Sequence, residues 1–507
     1  MDAPQRSSVG RLRAALWIAL LLFVALFGLL SFPMDDGLRH VAFAFGDAKS
    51  WGSVYPFSIF ELYPHYDPWY GYDRVLRGLA WGLGGLGAPP LLEQIVLVRL
   101  VSVALMALFV ALCLARSKLA AQLEDRRSLT LAGVVAVALL ALPLTRVSLI
   151  RPFAFGTCYL VYACAARGAL RGALASALLA FLYPYLAWIY VAPAALATFV
   201  RGSRGFALGA LGALAAATLL QPAAFWQNVA ALIRSDDVGS VLGTQVGELM
   251  SLFDHPYLLI STLTIWLLVV PRLAPKERRL RTEHALLLLF LPISLRYVRY
   301  FMDVAMPLLF VAYAAPLARI LREPFDTAVT YWQGVLRAAR QWIRRGGTPA
   351  ARRAAAAPEA APARGSDWLL LTLCGGAALV LIFQANVAKY AELDAFRREL
   401  DVVPPHGLVL AEFNLQYRLL FARPDLRLVP SPGLGLERQE IHDEYAAFYR
   451  GEVCALARRI GAGFFVEGGQ MTLRPERTPC LEPVPGARSV QIWRVVGAVA
   501  RVPSTGD

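Results

Sequence analysis

The chain has 507 residues, of which 57% are hydrophobic and 17% are charged. Soluble globular proteins carry about 25% charged residues, so this composition excludes an ordinary soluble protein. It also excludes a disordered chain, which needs low hydrophobicity, and the six cysteines are too few for a disulfide scaffold. Lys and Arg exceed Asp and Glu by 50 to 36. Because the basic residues cluster between long apolar runs, they predict membrane orientation and not nucleic-acid binding.

The first apolar run, residues 14–32, has 19 residues without a charge. At about 1.5 Å rise per residue, a helix of this length crosses the hydrocarbon core of a bilayer, about 30 Å thick. The run ends in bulky side chains and lacks the small residues of a cleavage site, which predicts a retained anchor and not a signal peptide. Arg6, Arg11 and Arg13 precede it, so the N-terminus is predicted to be cytoplasmic.

Ten further apolar runs follow, so the sequence predicts an α-helical polytopic protein of the inner or plasma membrane with about 11 transmembrane helices. Basic residues fall in alternate loops, which places the C-terminus outside the cytoplasm. Residues 172–200 allow two short helices or one long helix kinked at Pro184. The ten runs are 95–115, 128–145, 153–166, 172–185, 186–200, 206–222, 257–273, 284–298, 300–318 and 368–387.

The predicted organisation has two domains. Residues 1–387 form the transmembrane domain, in which 33–94 is a first outer loop, rich in Trp and Tyr and with amphipathic helices. Residues 319–367 form a basic cytoplasmic segment, partly disordered around an Ala/Pro-rich stretch. Residues 388–507 form a small α/β domain outside the membrane. Its strand-length runs are 407–412, 426–429, 463–467 and 490–496, and its helical patterns are 389–400 and 438–460.

Two cysteines, Cys454 and Cys480, lie in this last segment, outside the predicted spans. An outer compartment is oxidising, which permits a disulfide between them. Because the sequence does not report their separation, a disulfide and two free thiols remain equal alternatives.

An acidic pair, Asp35 and Asp36, follows the first span directly. Two adjacent carboxylates beside a low-dielectric surface repel each other, so one must protonate, pair with a cation or bind a metal. Such a pair suits general acid–base catalysis or metal binding. The alternative is helix capping, with Arg39 and His40 as partners four residues after Asp35 and Asp36.

The arrangement of the chain resembles the GT-C superfamily of integral-membrane glycosyltransferases. The resemblance lies in the acidic pair after the first of many spans, the long first outer loop and the α/β segment after the last span. Residues 35–40 are similar to a motif with Asp-Asp-Ala followed by Tyr, His and Arg positions. The resemblance implies inverting transfer of a sugar or short glycan from a polyprenyl-phosphate or polyprenyl-diphosphate carrier to a lipid, glycan or protein acceptor at the outer face. It implies Asp35 and Asp36 as catalytic carboxylates and His40 as a substrate contact.

Residues 66–74 are similar to the Asp-Pro-Trp-Phe-Asn-Tyr-Arg segment of the oligosaccharyltransferase catalytic subunit. That likeness implies a catalytic role for Asp67 near the acceptor. It also implies a divalent cation, Mg or Mn, held by Asp36 and Asp67, and it makes Arg74, one position out of register, a substrate contact. The alternative for Asp67 is an Asp-Pro turn that opens a helix.

Two weaker candidates for substrate binding complete the outer loops. Glu248 lies in residues 244–249, which resemble in part the Thr-Ile-x-Glu motif of the oligosaccharyltransferase relatives, and His65 faces outward on the predicted topology. An ordinary solvated loop and a surface histidine are the alternatives. The outer turn near residues 145–151 has no Asp-x-Asp or Glu-x-Asp, and the tail lacks the Trp-Trp-Asp motif of that branch. Transfer to a peptide is therefore unsupported, and the sequence leaves metal dependence open.

Four arginines, Arg146, Arg151, Arg296 and Arg299, lie at predicted outer turns, where the positive-inside rule disfavours basic residues. Arginine binds phosphate through paired, charge-assisted hydrogen bonds, so these residues are predicted to hold the donor's phosphate. The alternatives are snorkelling to the interface and a structural pair between Arg299 and Asp303.

Two other classes compete with an enzyme, namely a transporter or flippase of a lipid-linked sugar and a membrane-anchored scaffold. A transporter is expected to carry acids within its spans, often in repeated halves. The sequence has Asp303 at the edge of one predicted span and no convincing repeat, which favours the enzyme. The expected partners are the lipid-linked donor, an acceptor and membrane lipids, with no nucleic acid.

Overall fold

The computed structural model describes most of the chain. Three of the predicted site residues, His65, Asp67 and Glu248, and the predicted span at 257–273 lie outside the described residues. The described residues are 3–33, 35–62, 69–85, 87–184, 187–221, 226, 281–346, 364–412, 415–429, 441–469, 473 and 478–497.

Helices make up most of the described structure. In chain order they are α1 (Ala3–Leu30), α2 (Gly37–Phe45), α3 (Trp51–Val54), α4 (Ile59–Leu62), α5 (Tyr70–Gly84), α6 (Pro90–Ser117), α7 (Arg126–Val147), α8 (Phe153–Ala163), α9 (Ala169–Leu182), α10 (Ala187–Val200), α11 (Arg204–Leu220), α12 (Thr282–Arg296), α13 (Met306–Gly346), α14 (Arg364–Glu399), α15 (Gln416–Ala422), α16 (His442–Tyr449) and α17 (Val453–Ile460). A helical turn at Val298–Tyr300 and a π-helical segment at Phe301–Ala305 precede α13.

Four helical segments are long and apolar enough to cross a bilayer: Val9–Leu30, Pro90–Ser117, Arg126–Val147 and Val298–Ala339. The chain is therefore a helical membrane protein. Helices α8 to α11 are apolar but shorter, and α8, with 11 residues, is only about 16 Å long. Spans beyond these four, including the total of about 11, stay a prediction.

Helices α9 and α10 are separate elements, but residues 185–186 between them lie outside the described residues, so both alternatives for residues 172–200 stay predictions. α9 ends at Leu182 and α10 begins at Ala187. Tyr183, after the end of α9, leaves the helical conformation with φ −144° and ψ 66°.

Glycines allow α9 and α11 to pack closely. A Cβ atom at Gly209 would lie 2.0 Å from the Ala169 carbonyl oxygen, and one at Gly172 would lie 2.2 Å from that of Phe206. Small residues at such contacts let two membrane helices approach at backbone distance.

Helix α13 extends further than the predicted span at 300–318. It runs to Gly346 through the basic segment and has 41 residues. The first part of the segment 319–367 is thus helical, and the Ala/Pro-rich residues 347–363 lie outside the described residues.

A five-stranded mixed sheet follows α14. Strands β1 (Leu408–Ala411), β2 (Arg427–Val429), β3 (Phe464–Glu467) and β5 (Gln491–Val495) fall within the four predicted runs, whereas β4 (Leu481–Pro483) was not predicted. The strand order is β2-β1-β3-β5-β4. β1 is parallel to β2 and β3, and β5 is antiparallel to β3 and β4. Cys454 and Cys480 form a disulfide in the structure.

One face of the sheet packs on the segment that follows the first span. Phe43 and Trp51 share a buried core with Val409, Leu428 and Ile492, and helix α15 contacts α2. The sheet therefore packs against the C-terminal part of α2 and against α3, a few residues after the acidic pair. That residues 388–507 form a separate domain outside the membrane stays a prediction.

Candidate functional site

Three connections between helices meet around the acidic pair. They are the start of α2, the turn at residues 148–152 between α7 and α8, and the π-helical segment Phe301–Ala305. π-helical turns within longer helices occur frequently at functional sites. The predicted site residues that the structure brings together are Asp35, Asp36, His40, Arg146, Arg151 and Arg299.

Gly37 permits the close approach of α2 to the turn after α7. A Cβ atom at this position would lie 2.2 Å from both the Leu149 carbonyl oxygen and Ile150 Cγ1. Ile150 itself has φ 51°, a left-handed conformation that is rare for a β-branched residue, and its carbonyl accepts a hydrogen bond from the Tyr72 hydroxyl. The backbone on both sides of the contact is therefore closely constrained.

Replacing Gly37 with Ala is expected to lower the free energy of unfolding by about 1–3 kcal/mol, because the added methyl group must displace α2 from the turn. Thermal unfolding of the purified protein in detergent measures the effect. Gly78→Ala is the matched control, since its Cβ would meet nothing within 4 Å and alanine favours helix. Equal stability of the Gly37→Ala variant and the wild-type protein would contradict this account.

The two carboxylates of the acidic pair form ion pairs with different arginines. Asp36 Oδ1 lies 2.6 Å from Arg39 Nε, and Asp35 forms an ion pair with Arg151. Asp36 precedes α2, yet its side chain makes no capping hydrogen bond. The capping alternative is therefore wrong for Asp36. Asp36 pairs with Arg39, three residues later, and not with His40. Asp35 pairs with Arg151, 116 residues later, and not with Arg39.

The cations around Asp36 decide its charge. Burial raises the pKa of this carboxyl. The nearby charges of Arg39, Arg151, His40 and Arg299 lower it by a larger amount, so the net pKa lies below the ordinary value. Asp36 is therefore ionised at neutral pH and can accept a hydrogen bond from a hydroxyl or an amine.

Arg39 is buried among aromatic rings. Its side chain is 3% exposed, and its guanidinium carbon lies 4.2 Å from the centre of the Trp69 ring and 5.5 Å from that of Trp51. Burial lowers the pKa of Arg39, but its interactions with Asp36, Tyr55 and Tyr417 outweigh burial, so the net pKa is above the ordinary value. Tyr417, on α15, belongs to the C-terminal region and was not among the predicted site residues.

Three arginines surround the ring of Phe153. The guanidinium carbons of Arg146, Arg151 and Arg299 lie 5.0, 5.8 and 4.7 Å from its centre. Asp303 holds two of them. Arg146 donates from Nε to Oδ1 at 2.9 Å and from Nη2 to Oδ2 at 3.3 Å, and Arg299 Nε lies 3.6 Å from Oδ2.

The residues that pair around the acidic pair carry a formal charge of +1, not counting Asp73, which pairs with His40 beside them. Arg39, Arg146, Arg151 and Arg299 face three carboxylates, those of Asp35, Asp36 and Asp303, which leaves 4 − 3 = +1. We name these seven residues the acid–arginine cluster. The structural pair between Arg299 and Asp303 is present, and it leaves the guanidinium of Arg299 beside the others around Phe153. An anion with several oxygens, such as a phosphate, suits this arrangement.

Two predicted substrate contacts lie elsewhere. The guanidinium of Arg296 stacks on Tyr297 at 5.5 Å and that of Arg74 on Tyr70 at 5.1 Å, and both arginines are exposed. Neither forms an ion pair with a carboxylate of the acid–arginine cluster in the described part of the chain.

A buried histidine–aspartate pair lies next to the cluster. His40 Nδ1 is 2.7 Å from Asp73 Oδ1, and Trp51 Nε1 donates to Asp73 Oδ2 at 2.9 Å. Since a carboxylate accepts, we assign a proton to His40 Nδ1. The ring packs edge-on against Trp51, Trp69 and Tyr72, and the pair therefore fixes the orientation of α2 beside Asp36.

Asp73 was missed as a site residue, although the sequence holds a signal for it. Tyr72, Leu76 and Ala80 repeat every four residues on α5 and form its buried face. Asp73 lies three residues before Leu76 and shares that face. An acid on a buried helix face requires a partner, which His40 supplies.

A metal site is not assembled in the described part of the chain. Within it, no group of three or more His, Cys, Asp and Glu side chains is arranged to hold a metal ion. Asp35 and Asp36 both bind guanidinium groups, and Asp67 lies outside the described residues. The Mg or Mn site at Asp36 and Asp67 therefore stays a prediction.

Comparisons of the sequence with protein-family models and with curated proteins find no match. The fold defines a helical membrane protein, and the site defines a buried acid–arginine cluster at one end of its bundle. The function therefore rests on the chemistry of that cluster.

Proposed function

We propose that the protein is a membrane glycosyltransferase of the GT-C type, which moves a sugar or short glycan from a polyprenyl-phosphate or polyprenyl-diphosphate carrier to an acceptor. The observation that carries the proposal is the acid–arginine cluster, in which two adjacent carboxyl groups lie beside three arginines around Phe153. The two parts match the two needs of the reaction, a proton acceptor and a phosphate site.

The donor's phosphate binds, on this proposal, between Arg151 and Arg299. Planar guanidinium groups pair with phosphate oxygens in a fixed geometry, and a site with net positive charge favours an anion. Asp303 holds Arg146 and Arg299 in place, so they are oriented before the donor arrives. The polyprenyl chain remains in the hydrocarbon region beside the bundle.

The transfer breaks one bond and forms another. A hydroxyl or amine of the acceptor attacks the anomeric carbon from the face opposite the phosphate, which inverts that centre. The bond between this carbon and the phosphate oxygen breaks, and its electron pair remains on that oxygen, where Arg151 and Arg299 stabilise the charge. The acceptor's proton passes to Asp36, with Asp35 as the alternative base.

Donor binding makes Asp36 a better base. Without the donor, Arg39, Arg151 and Arg299 are among the charges that lower the pKa of Asp36. An anionic phosphate beside Arg151 and Arg299 opposes their effect and so raises that pKa. The carboxylate thus gains proton affinity at the step that needs it.

We further propose that the site faces the outer side of the membrane, with a cytoplasmic N-terminus. The basic residues before the first span support this orientation. The disulfide between Cys454 and Cys480 supports an oxidising compartment for the C-terminal region.

The sharpest test compares two arginines three residues apart. Arg299→Gln is expected to weaken binding of polyprenyl phosphate about tenfold or more, since it removes a charge-assisted hydrogen bond. The matched control, Arg296→Gln, removes an exposed arginine that stacks on Tyr297 and should leave affinity within about twofold. Binding is measured by the thermal shift of purified protein with polyprenyl phosphate, against polyprenol without the phosphate.

Turnover separates an enzyme from a flippase. In vesicles supplied with a polyprenyl-phosphate-linked sugar and a mixture of lipid and glycan acceptors, the wild-type protein should release polyprenyl phosphate, and Arg299→Gln should not. Movement of intact donor across the bilayer without its consumption would instead support a flippase. Equal donor affinity in the two glutamine variants would overturn the phosphate site.

A further inference from the structure

A second group of cations lies at the junction of α1, α6 and α14. Arg99, on α6, is 4% exposed. Its Nε donates to Asn386 Oδ1 at 3.0 Å and its Nη1 to the Gly28 carbonyl oxygen at 3.2 Å. Both acceptors are neutral, and no carboxylate of the described chain forms an ion pair with Arg99. A charge buried without a counter-ion is costly, and an arginine within a membrane span is by default a functional residue.

A second cation lies on the same aromatic ring. The guanidinium carbon of Arg99 is 5.0 Å from the centre of the Phe32 ring, and Lys389 Nζ is 5.3 Å from it. Lys389 pairs with Glu392 at 2.8 Å, but Glu392 also pairs with Arg418 at 3.1 Å. Lys389 and Arg418 thus share one carboxylate and Arg99 has none, which leaves a local charge of 3 − 1 = +2.

The surface beside these cations is apolar and exposed. On α14, Leu379, Phe383 and Val387 are exposed at 69%, 69% and 49%, and on α6 Leu100, next to Arg99, is exposed at 54%. Phe383 and Val387 lie within two turns of Lys389 along the same helix. An anion that binds here therefore lies where a membrane helix presents apolar side chains to lipid.

We propose that Arg99 and Lys389 bind the headgroup phosphate of an anionic phospholipid, whose acyl chains lie along the exposed apolar face of α14. The phosphate supplies the counter-ion for Arg99. The exposed leucine and phenylalanine side chains contact acyl chains, which a free phosphate ion does not have. This site is separate from the acid–arginine cluster and does not depend on the proposed transfer reaction.

The test measures lipid retention by the purified full-length protein. The protein is exchanged into nanodiscs of phosphatidylcholine and phosphatidylglycerol, released into detergent, and examined by native mass spectrometry. The wild-type protein should retain phosphatidylglycerol, and Arg99→Gln and Lys389→Gln should each retain about tenfold less. The control Arg398→Gln, on the exposed side of the same helix and paired with Asp394, should retain as much as the wild-type protein.

The remaining outcomes each decide the proposal. Equal retention in Lys389→Gln and Arg398→Gln would overturn it, and this comparison stands even where Arg99→Gln fails to fold. In a thermal-shift measurement, inorganic phosphate that raises the melting temperature as much as phosphatidylglycerol does would identify a free-anion site and contradict a lipid site. Displacement of phosphatidylglycerol by polyprenyl phosphate at equal concentration would point to the donor lipid as the occupant, which also contradicts it.

Discussion

Replacing Asp36 with Asn is expected to abolish the proposed glycosyl transfer and to lower the free energy of unfolding by about 3–5 kcal/mol. The second effect follows because Arg39, at 3% exposure, would remain buried without its carboxylate, and breaking a buried ion pair from one side has a cost of this size. Chemical unfolding in detergent measures stability, and release of polyprenyl phosphate in vesicles measures transfer.

A double variant separates the two effects. Asp36→Asn with Arg39→Gln removes both charges, so it should recover most of the lost stability, since replacing a whole buried pair is often nearly neutral. Transfer should remain absent, because the proton acceptor is still missing. Recovery of transfer in the double variant would contradict a catalytic role for Asp36, and full stability of the single variant would contradict the ion pair.

Replacing Asp303 with Asn is expected to destabilise the protein by about 3–5 kcal/mol. Asp303 is 3% exposed and binds both Arg146 and Arg299. Its neutralisation leaves two arginines beside each other around Phe153 with no carboxylate between them, which combines the loss of a buried pair with repulsion of like charges.

The control for this variant lies on the adjoining helix. Asp326 pairs with Arg127 at 3.8 Å, and both side chains are well exposed. Exposed pairs of this kind contribute about 0–1 kcal/mol, so Asp326→Asn should unfold close to the wild-type midpoint in the same denaturant series. An equal loss of stability in the two asparagine variants would show that Asp303 does not organise the arginines.

The sequence did not determine which of Arg296 and Arg299 joins the acid–arginine cluster. Both arginines lie at the end of an apolar run and both were predicted to contact phosphate. The structure separates them because one turn of helix directs Arg299 toward Phe153 and Asp303, whereas Arg296 ends α12 and stacks on Tyr297. The direction in which a side chain leaves a helix end depends on where the helix stops, and hydropathy locates such ends only within a few residues.

Asp73 and β4 were missed for a different reason. Asp73 was not among the predicted site residues, and its partner became apparent only when α5 packed against α2 and brought it to His40. β4 has three residues and includes Pro483, so its sequence lacks the pattern of a strand. The hydrogen bonds of β4 with β5 hold these residues as a strand, although their intrinsic strand preference is low.

The amino-acid sequence by itself determined that this is a membrane protein, where its long apolar helices lie, that an acidic pair follows the first of them, and where four of the strands run. These features are local, because hydrophobicity, charge and strand preference are summed over neighbouring residues. The long-range partners of the charges were decided only by the tertiary structure, whereas Asp36 with Arg39 and Arg299 with Asp303 pair within one helical turn. Asp35 meets Arg151 and Arg146 meets Asp303 across 116 and 157 residues, and a buried charge takes the counter-ion that packing brings within reach.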